Sequence, residues 1–204
     1  MAIGDPYASL PELKAYLRID NSADDIELND ALTAASRGVT DFCKRQFNKE
    51  TSATARTYKA ARSSLAMVDD FHTIAGLVVK TDDDQDGVFE TTWTAADYEL
   101  QPLNGVRNGE PGWPYWKIHT SASSALTFTV AAQATVQITA QWGWTAVPEP
   151  VRQSCLILAA ETFKLRDAPF GVAGFGDFGA VRVRDNPMAK AKLMPYRRNA
   201  VLVA

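Results

Sequence analysis

The apolar residues of this 204-residue chain change their spacing twice along its length, and that change limits the possible folds more than any other feature. Leu28, Leu32, Ala35, Val39 and Phe42 recur at four- and three-residue steps, the period of a helix with one buried face. From Thr51 onward the pattern becomes short runs rich in Val, Ile, Thr and aromatics, broken by turn clusters, which reads as β structure. After Pro148 and Pro150 the helical period returns in Val151, Cys155, Leu158, Ala159, Thr162 and Phe163. It lasts to Arg166, where Asp167-Ala-Pro169 stops it.

Finer signals divide these zones. Ser9 and Glu12 form a capping box ahead of Leu10, Leu13 and Leu17, with Pro11 tolerated in the first turn, so a short helix ends near Arg18. Ser22 opens a second helix with Asp24, Asp25 and Glu27 at its positive end, running to about Phe47. Leu77–Lys80 and Val88–Trp93 flank the acidic turn Asp82–Gly87 and predict a hairpin. Trp116–His119, Ala125–Val130 and Thr135–Trp142 read as strands, and Asn104–Pro114, with three Gly and two Pro, as a loop. The prediction is a compact antiparallel β domain from about 52 to 145, a small sandwich or barrel. Beyond the third long helix, Gly171–Gly179 reads as a loop, Val181–Arg184 as a brief strand and Pro187–Met194 as a short helix.

Composition is that of an ordinary soluble globular protein, 46% hydrophobic and 22% charged. No apolar run reaches the ~18–20 residues of a membrane span, and Met1–Leu10 lacks a signal-peptide layout, so synthesis in the cytoplasm is expected. Cys43 and Cys155 fall among helix-like apolar positions and read as reduced core residues. The net charge of −3 is unevenly spread. Residues 1–147 hold 12 Lys/Arg against 19 Asp/Glu, whereas 148–204 hold 9 against 5. Only the last third is basic, which is too little for a dedicated nucleic-acid binder.

Chemistry has little to start from. His72 and His119 stand in no spacing suited to zinc or to a nucleophile pair, and the phosphate-loop, zincin and serine-elbow motifs are missing. Asp69 and Asp70 are adjacent, so in a strand they point to opposite faces. Asp82, Asp84, Asp86 and Gly87 fill positions one, three, five and six of a D-x-D-x-D-G calcium loop, with Glu90 at the ninth. Position twelve, which needs a bidentate Glu, is Trp93, so the stretch reads as an acidic hairpin turn. Trp113, Trp116, Trp142, Trp144 and Tyr115 read first as packing, with a binding face as the alternative. Phe170, Phe175 and Phe178 among four glycines have no evident folding role and read as a contact site.

The two ends of the chain together resemble the head-tail connector proteins of tailed bacteriophages. The resemblance is carried by Ser9-Leu-Pro-Glu-Leu-Lys-Ala-Tyr-Leu-Arg-Ile-Asp20 with Asp24-Asp25 and the following helix, by Val147-Pro-Glu-Pro-Val-Arg-Gln153 leading to Phe163-Lys-Leu-Arg-Asp167, and by Leu193-Met-Pro-Tyr-Arg-Arg198. It covers about half the chain. It implies an α+β protein in which residues 1–50 and 146–204 build an α-helical connector domain and 52–145 are an inserted β domain. It further implies a structural, non-enzymatic virion protein of the neck, without cofactor or metal. The partners would be the portal protein, tail or neck proteins and further copies of itself, in a ring of typically twelve that extends the DNA channel without binding DNA specifically, and without a membrane. The residues expected at the portal or inter-subunit interface are Phe170, Phe175, Phe178, Lys190, Lys192, Tyr196, Arg197 and Arg198. The rival reading is a β-sandwich module that recognises carbohydrate or protein through its Trp-rich face.

The charge distribution yields a direct expectation. Phosphate contacts bind duplex strongly and without sequence preference, so a surface along which DNA slides is not continuously basic. Random duplex DNA should therefore bind negligibly at physiological salt in a filter or anisotropy assay; sub-micromolar binding with a steep salt slope would refute this.

Overall fold

The computed structural model describes residues 2, 4–167 and 186–198. The loop expected at Gly171–Gly179 and the strand expected at Val181–Arg184 lie outside them. The described residues form two compact units, one drawn from residues 4–47, 146–167 and 186–198, the other Asn48–Thr145. Mixed α and β structure is thus observed, with four α-helices and nine strands among the described residues.

The first unit contains α1 (Leu10–Leu17), α2 (Asp25–Cys43), α3 (Glu149–Lys164) and α4 (Pro187–Leu193). Glu12 closes the start of α1 by accepting both the backbone N–H and the hydroxyl of Ser9. Its other oxygen pairs with Arg152, which also pairs with Glu149. Two of the segments that carry the family resemblance therefore meet in space. The apolar stripe of α2 is buried as its period requires: Leu28, Leu32, Val39 and Cys43 are fully enclosed, opposite a buried stripe of Val151, Cys155 and Ala159 on α3.

Helix α2 stops four residues short of the expected Phe47. Lys44 takes the left-handed conformation (φ 53°) and returns its N–H to the Thr40 carbonyl, which terminates the helix. Phe47 is buried all the same, its ring edge-on to Tyr7 (5.5 Å) and Tyr196 (6.1 Å). Both cysteines are free and buried, and burial pushes the Cys43 thiol up to about 12 and raises that of Cys155. Burial thus disfavours the thiolate that redox or metal chemistry needs.

The second unit holds β1 (Thr54–Tyr58), β2 (Ala60–Arg62), β3 (Leu65–Thr81), β4 (Thr91–Trp93), β5 (Tyr98–Gln101), β6 (Val106–Arg107), β7 (Glu110–Pro111), β8 (Tyr115–Thr120) and β9 (Val136–Trp142). Seven strands form one antiparallel sheet in the order β1-β9-β3-β8-β5, with β2 and β4 also on β3. The 17-residue β3 organises it. Its first half pairs with β2 and β8 and its second with β9 and β4, and register shifts between Met67 and Val78 mark where the partners change. Such irregularities bend a strand. Strand β9 alternates buried and half-buried residues throughout, directing Val136, Ile138, Ala140 and Trp142 into a core with Phe71, Val79, Trp93, Ile118 and Phe128.

Three sequence expectations are corrected. The sheet is not closed into a barrel, because β1 and β5 end the order without pairing with each other. Ala125–Val130 is not a strand: the Phe128 N–H bonds the Ser63 carbonyl and its ring stacks on Trp93 at 4.4 Å, so isolated hydrogen bonds and ring burial, not a ladder, fix this segment. Asn104–Pro114 is not wholly loop, since β6 and β7 form a small hairpin turned by Asn108 (φ 52°) and Gly109 (φ 81°). The hairpin around the acidic turn is present, with Val79, Lys80 and Thr81 opposite Trp93, Thr92 and Thr91.

The two ends of this unit close on each other at Gly143 (φ 95°), where a Cβ would fall 1.7 Å from the Asn48 carbonyl oxygen. Relief would require backbone to move, together with the Lys49–Gly143 bridge. Gly143→Ala should therefore destabilise by ~3 kcal/mol or more, read as a lowered midpoint in chemical denaturation followed by Trp fluorescence. A midpoint shift worth less than ~1 kcal/mol would contradict it.

Candidate functional site

The residues expected to form an interface fall on a structured element where they are described. Asn186 caps α4 by accepting the Ala189 N–H at 2.9 Å, and its amide bonds Glu161 of α3. Ala189 and Leu193 are buried, which fixes the helix and leaves Lys190 exposed. Lys192 reaches Gln153 on α3 at 2.9 Å. Tyr196 is 8% exposed and packs on Phe47. The Arg197 guanidinium lies 5.5 Å from the Phe42 ring, and the Arg198 N–H bonds the Cys43 carbonyl at 2.8 Å. Phe170, Phe175 and Phe178 lie outside the described residues.

Beside α4 is a cavity of about 580 Å³ with walls from α2, α3 and α4. Ala34, Ala35 and Gly38 leave the room, Leu158 and Leu193 line it, and Lys190 stands among its polar wall residues. No signal in the sequence marked it, because small residues along a helix read equally well as tight packing.

The acidic turn is more ordered than a solvated loop needs to be. Asp82 is fully buried, and its two carboxylate oxygens accept the Gln85 N–H (2.6 Å) and the Gly87 N–H (2.9 Å). Asp84 and Asp86 accept backbone N–H groups two residues on, and Glu90 accepts that of Asp83. One oxygen from each of Asp82, Asp84, Asp86 and Glu90 falls within 4.8 Å of the others, a set of hard donors of the kind calcium takes. No other group of three or more His, Cys, Asp or Glu with ligand geometry occurs among the described residues. Asp69 and Asp70 point apart as the strand dictates: Asp69 pairs with Arg56, and Asp70 is buried and accepts the Trp144 indole N–H at 3.0 Å. Burial and nearby Lys49 hold His72 below its ordinary value.

Four of the five tryptophans, Trp93, Trp113, Trp142 and Trp144, are buried and Trp116 is half-buried, so most of the aromatic signal is packing. Trp113 packs on Trp144 at 5.0 Å and on Trp116 at 6.2 Å. Arg107, which the sequence did not single out, places its guanidinium 4.6 Å from the Trp113 ring and 5.7 Å from the Trp116 ring.

Comparison with known proteins agrees in fold class with the resemblance seen at the chain ends. No family model matches the sequence, and no curated protein matches it. Among solved structures, a chain from the neck of an empty gene transfer agent (GTA) particle with C6 symmetry is similar, at 21% identity and a TM-score of 0.56, over 96% of this chain and 92% of that one. A chain from the virion of a native GTA particle matches at 20% identity and a TM-score of 0.56, with the same coverage. A chain from the neck of a native GTA particle with C12 symmetry matches at 17% identity and a TM-score of 0.50, over 99% and 98%. At these identities the likeness shows the fold, and it extends over nearly the whole length of both partners. No described helix is long and apolar enough to cross a membrane.

Asp82 holds its turn by bonds to backbone, so replacing it tests whether the turn is built without metal. Asp82→Asn keeps one acceptor and sets an amide against the second N–H, and should cost ~1–3 kcal/mol. The loss should be equal in EDTA and in millimolar Ca²⁺ by thermal melting; a loss confined to Ca²⁺ would mean that a cation, not the backbone, is what Asp82 holds.

Proposed function

We propose that this chain is a structural subunit of the neck of a tailed-phage-like particle, a head-to-tail connector whose copies assemble as a ring beneath the portal and extend the DNA channel. The observation that carries this reading is the fold shared with neck chains of a gene transfer agent over 96% of this chain. The function would be association by shape and charge, with no bond made or broken. In this reading the helical unit is the connector domain and residues 52–145 are an insertion. Lys190, Lys192, Arg197 and Arg198, with Phe170, Phe175 and Phe178, would meet acidic and apolar surfaces of the portal or of a neighbouring subunit, while Tyr196 would hold α4 in place from beneath. The ring would comprise about twelve copies, in line with the C12 neck to which the chain is similar. DNA would pass through it without specific contacts.

The test is reconstitution. Purified chain added to DNA-filled, portal-bearing heads that lack it should appear by electron microscopy as a ring of density below the portal and should restore tail attachment. Lys190→Glu with Arg197→Glu should reduce loading on the order of tenfold, since reversing charges at a complementary interface is costly. Heads that acquire tails equally well without the chain, or to which no density is added, would refute the reading.

A further inference from the structure

We propose that neighbouring copies of this chain join head to tail through their β units, the acidic turn Asp82–Asp86 of one copy docking on an Arg107 cradle formed with Trp113 and Trp116 in the next. The proposal rests on the ring reading above and adds to it which surfaces meet. Arg107 is a half-buried cation whose guanidinium is held by two indoles, at 4.6 Å and 5.7 Å. Its side chain makes no hydrogen bond or ion pair among the described residues. A guanidinium oriented in this way keeps its donors available and loses little freedom on binding a carboxylate. Leu103 (55% exposed) and Val106 (40%) precede Arg107 in the chain, and the exposed Glu110 stands opposite it in the hairpin register without forming an ion pair with it.

The acidic turn has the complementary character. Asp83, Asp84, Asp86 and Glu90 are exposed, and no Lys or Arg pairs with them among the described residues. Val88, 59% exposed, supplies an apolar neighbour. Arginine backed by aromatic rings is characteristic of an interface centre.

The two surfaces cannot meet within one copy. The Asp82 N–H bonds Thr135, immediately before β9, whereas Trp113 packs on Trp144, just past the end of β9. A seven-residue strand spans about 23 Å at ~3.3 Å per residue, so the cation and the carboxylates mark opposite ends of the β unit. Two different, complementary patches at opposite ends give a heterologous contact, which closes into a ring when the rotation between copies allows.

Charge exchange and cross-linking on portal-bearing heads test this with the full chain. Arg107→Glu and Asp84→Lys should each lower ring loading on the order of tenfold, and the two together should restore most of it, with near-ultraviolet Trp dichroism confirming the fold of every variant. Because Cys43 and Cys155 are buried, Leu103→Cys with Val88→Cys gives two new accessible thiols. Oxidation of the loaded double variant should produce a ladder of covalent multimers, and neither single variant should do so. If both reversals load like the unaltered chain, or the double-Cys protein stays monomeric on loaded heads, this contact is refuted while the ring reading stands. If Arg107→Glu fails to load but Asp84→Lys loads normally, the cradle takes another protein's acidic segment and the contact between copies is refuted. If the unaltered chain loads no ring, the ring reading itself falls and takes this contact with it.

Discussion

The packing of α2 against α3 is the interaction on which the helical unit depends. Neither helix is stable through propensity alone, and each has a stripe that must be covered: Leu28, Leu32 and Val39 on one, Val151, Cys155 and Ala159 on the other. These stripes are separated by more than a hundred residues, so their meeting requires a long closure, whose entropic cost grows only slowly with length. The β unit lessens that cost by closing on itself. The Trp144 N–H bonds the Asn48 carbonyl, holding the start of the unit at hydrogen-bond distance from a residue near its end, and the Gly143 N–H bonds the Asp70 carbonyl. Gly143 therefore does more than permit a turn, because it joins the two ends of one unit from which the halves of the other depart.

The C-terminal elements depend on that same helix pair. The Arg198 N–H reaches the last residue of α2, Cys43, and Tyr196 packs on Phe47 just beyond it. On the other side of Phe47, the Tyr7 hydroxyl accepts the Phe47 N–H and bonds Gln46 and Thr40, while the Tyr7 N–H reaches Ser36. Arg198 thus satisfies a carbonyl left open where α2 stops, while Tyr7 ties down the turn that follows it. A basic surface on α4 and the residues after it is consequently carried by the core and cannot be moved without disturbing it.

The helices were legible in the sequence because their stripes are regular and their starts are marked by Ser9, Glu12 and the acids after Ser22. The end of α2 was not, because Lys44 enters the left-handed region without the Gly or Asn that usually announces it. Strand β9 was legible from strict alternation. Strand β3 was recognised only at Leu77–Lys80, since its earlier half mixes Asp69, Asp70 and His72 into a run that burial of Val68 and Phe71 nonetheless keeps in the sheet. Phe128 gave the opposite error, an apolar run without a ladder. Among the site residues, the acidic spacing was visible and its convergence was not, because convergence depends on the fold of the turn. Arg107 carried no signal at all: its position over two indoles is a product of the hairpin and of Trp113 meeting Trp144.

Charge is where the sequence exceeds what folding asks of it. The Asx bonds that shape the acidic turn need a short side chain with an acceptor oxygen, which Asn or Ser would supply without charge. Only Asp82 is buried and satisfied on both oxygens, whereas Asp84 and Asp86 each use one for the turn and lie close enough to repel. Arg107 is likewise more than its hairpin requires, because the turn is made by Asn108 and Gly109. Neutral substitution would relieve the repulsion in the turn, and Arg107 is held by two indoles and not by Glu110, which faces it across the hairpin. The placement of turn and cation at the two ends of one strand keeps the two charges from neutralising each other within one copy.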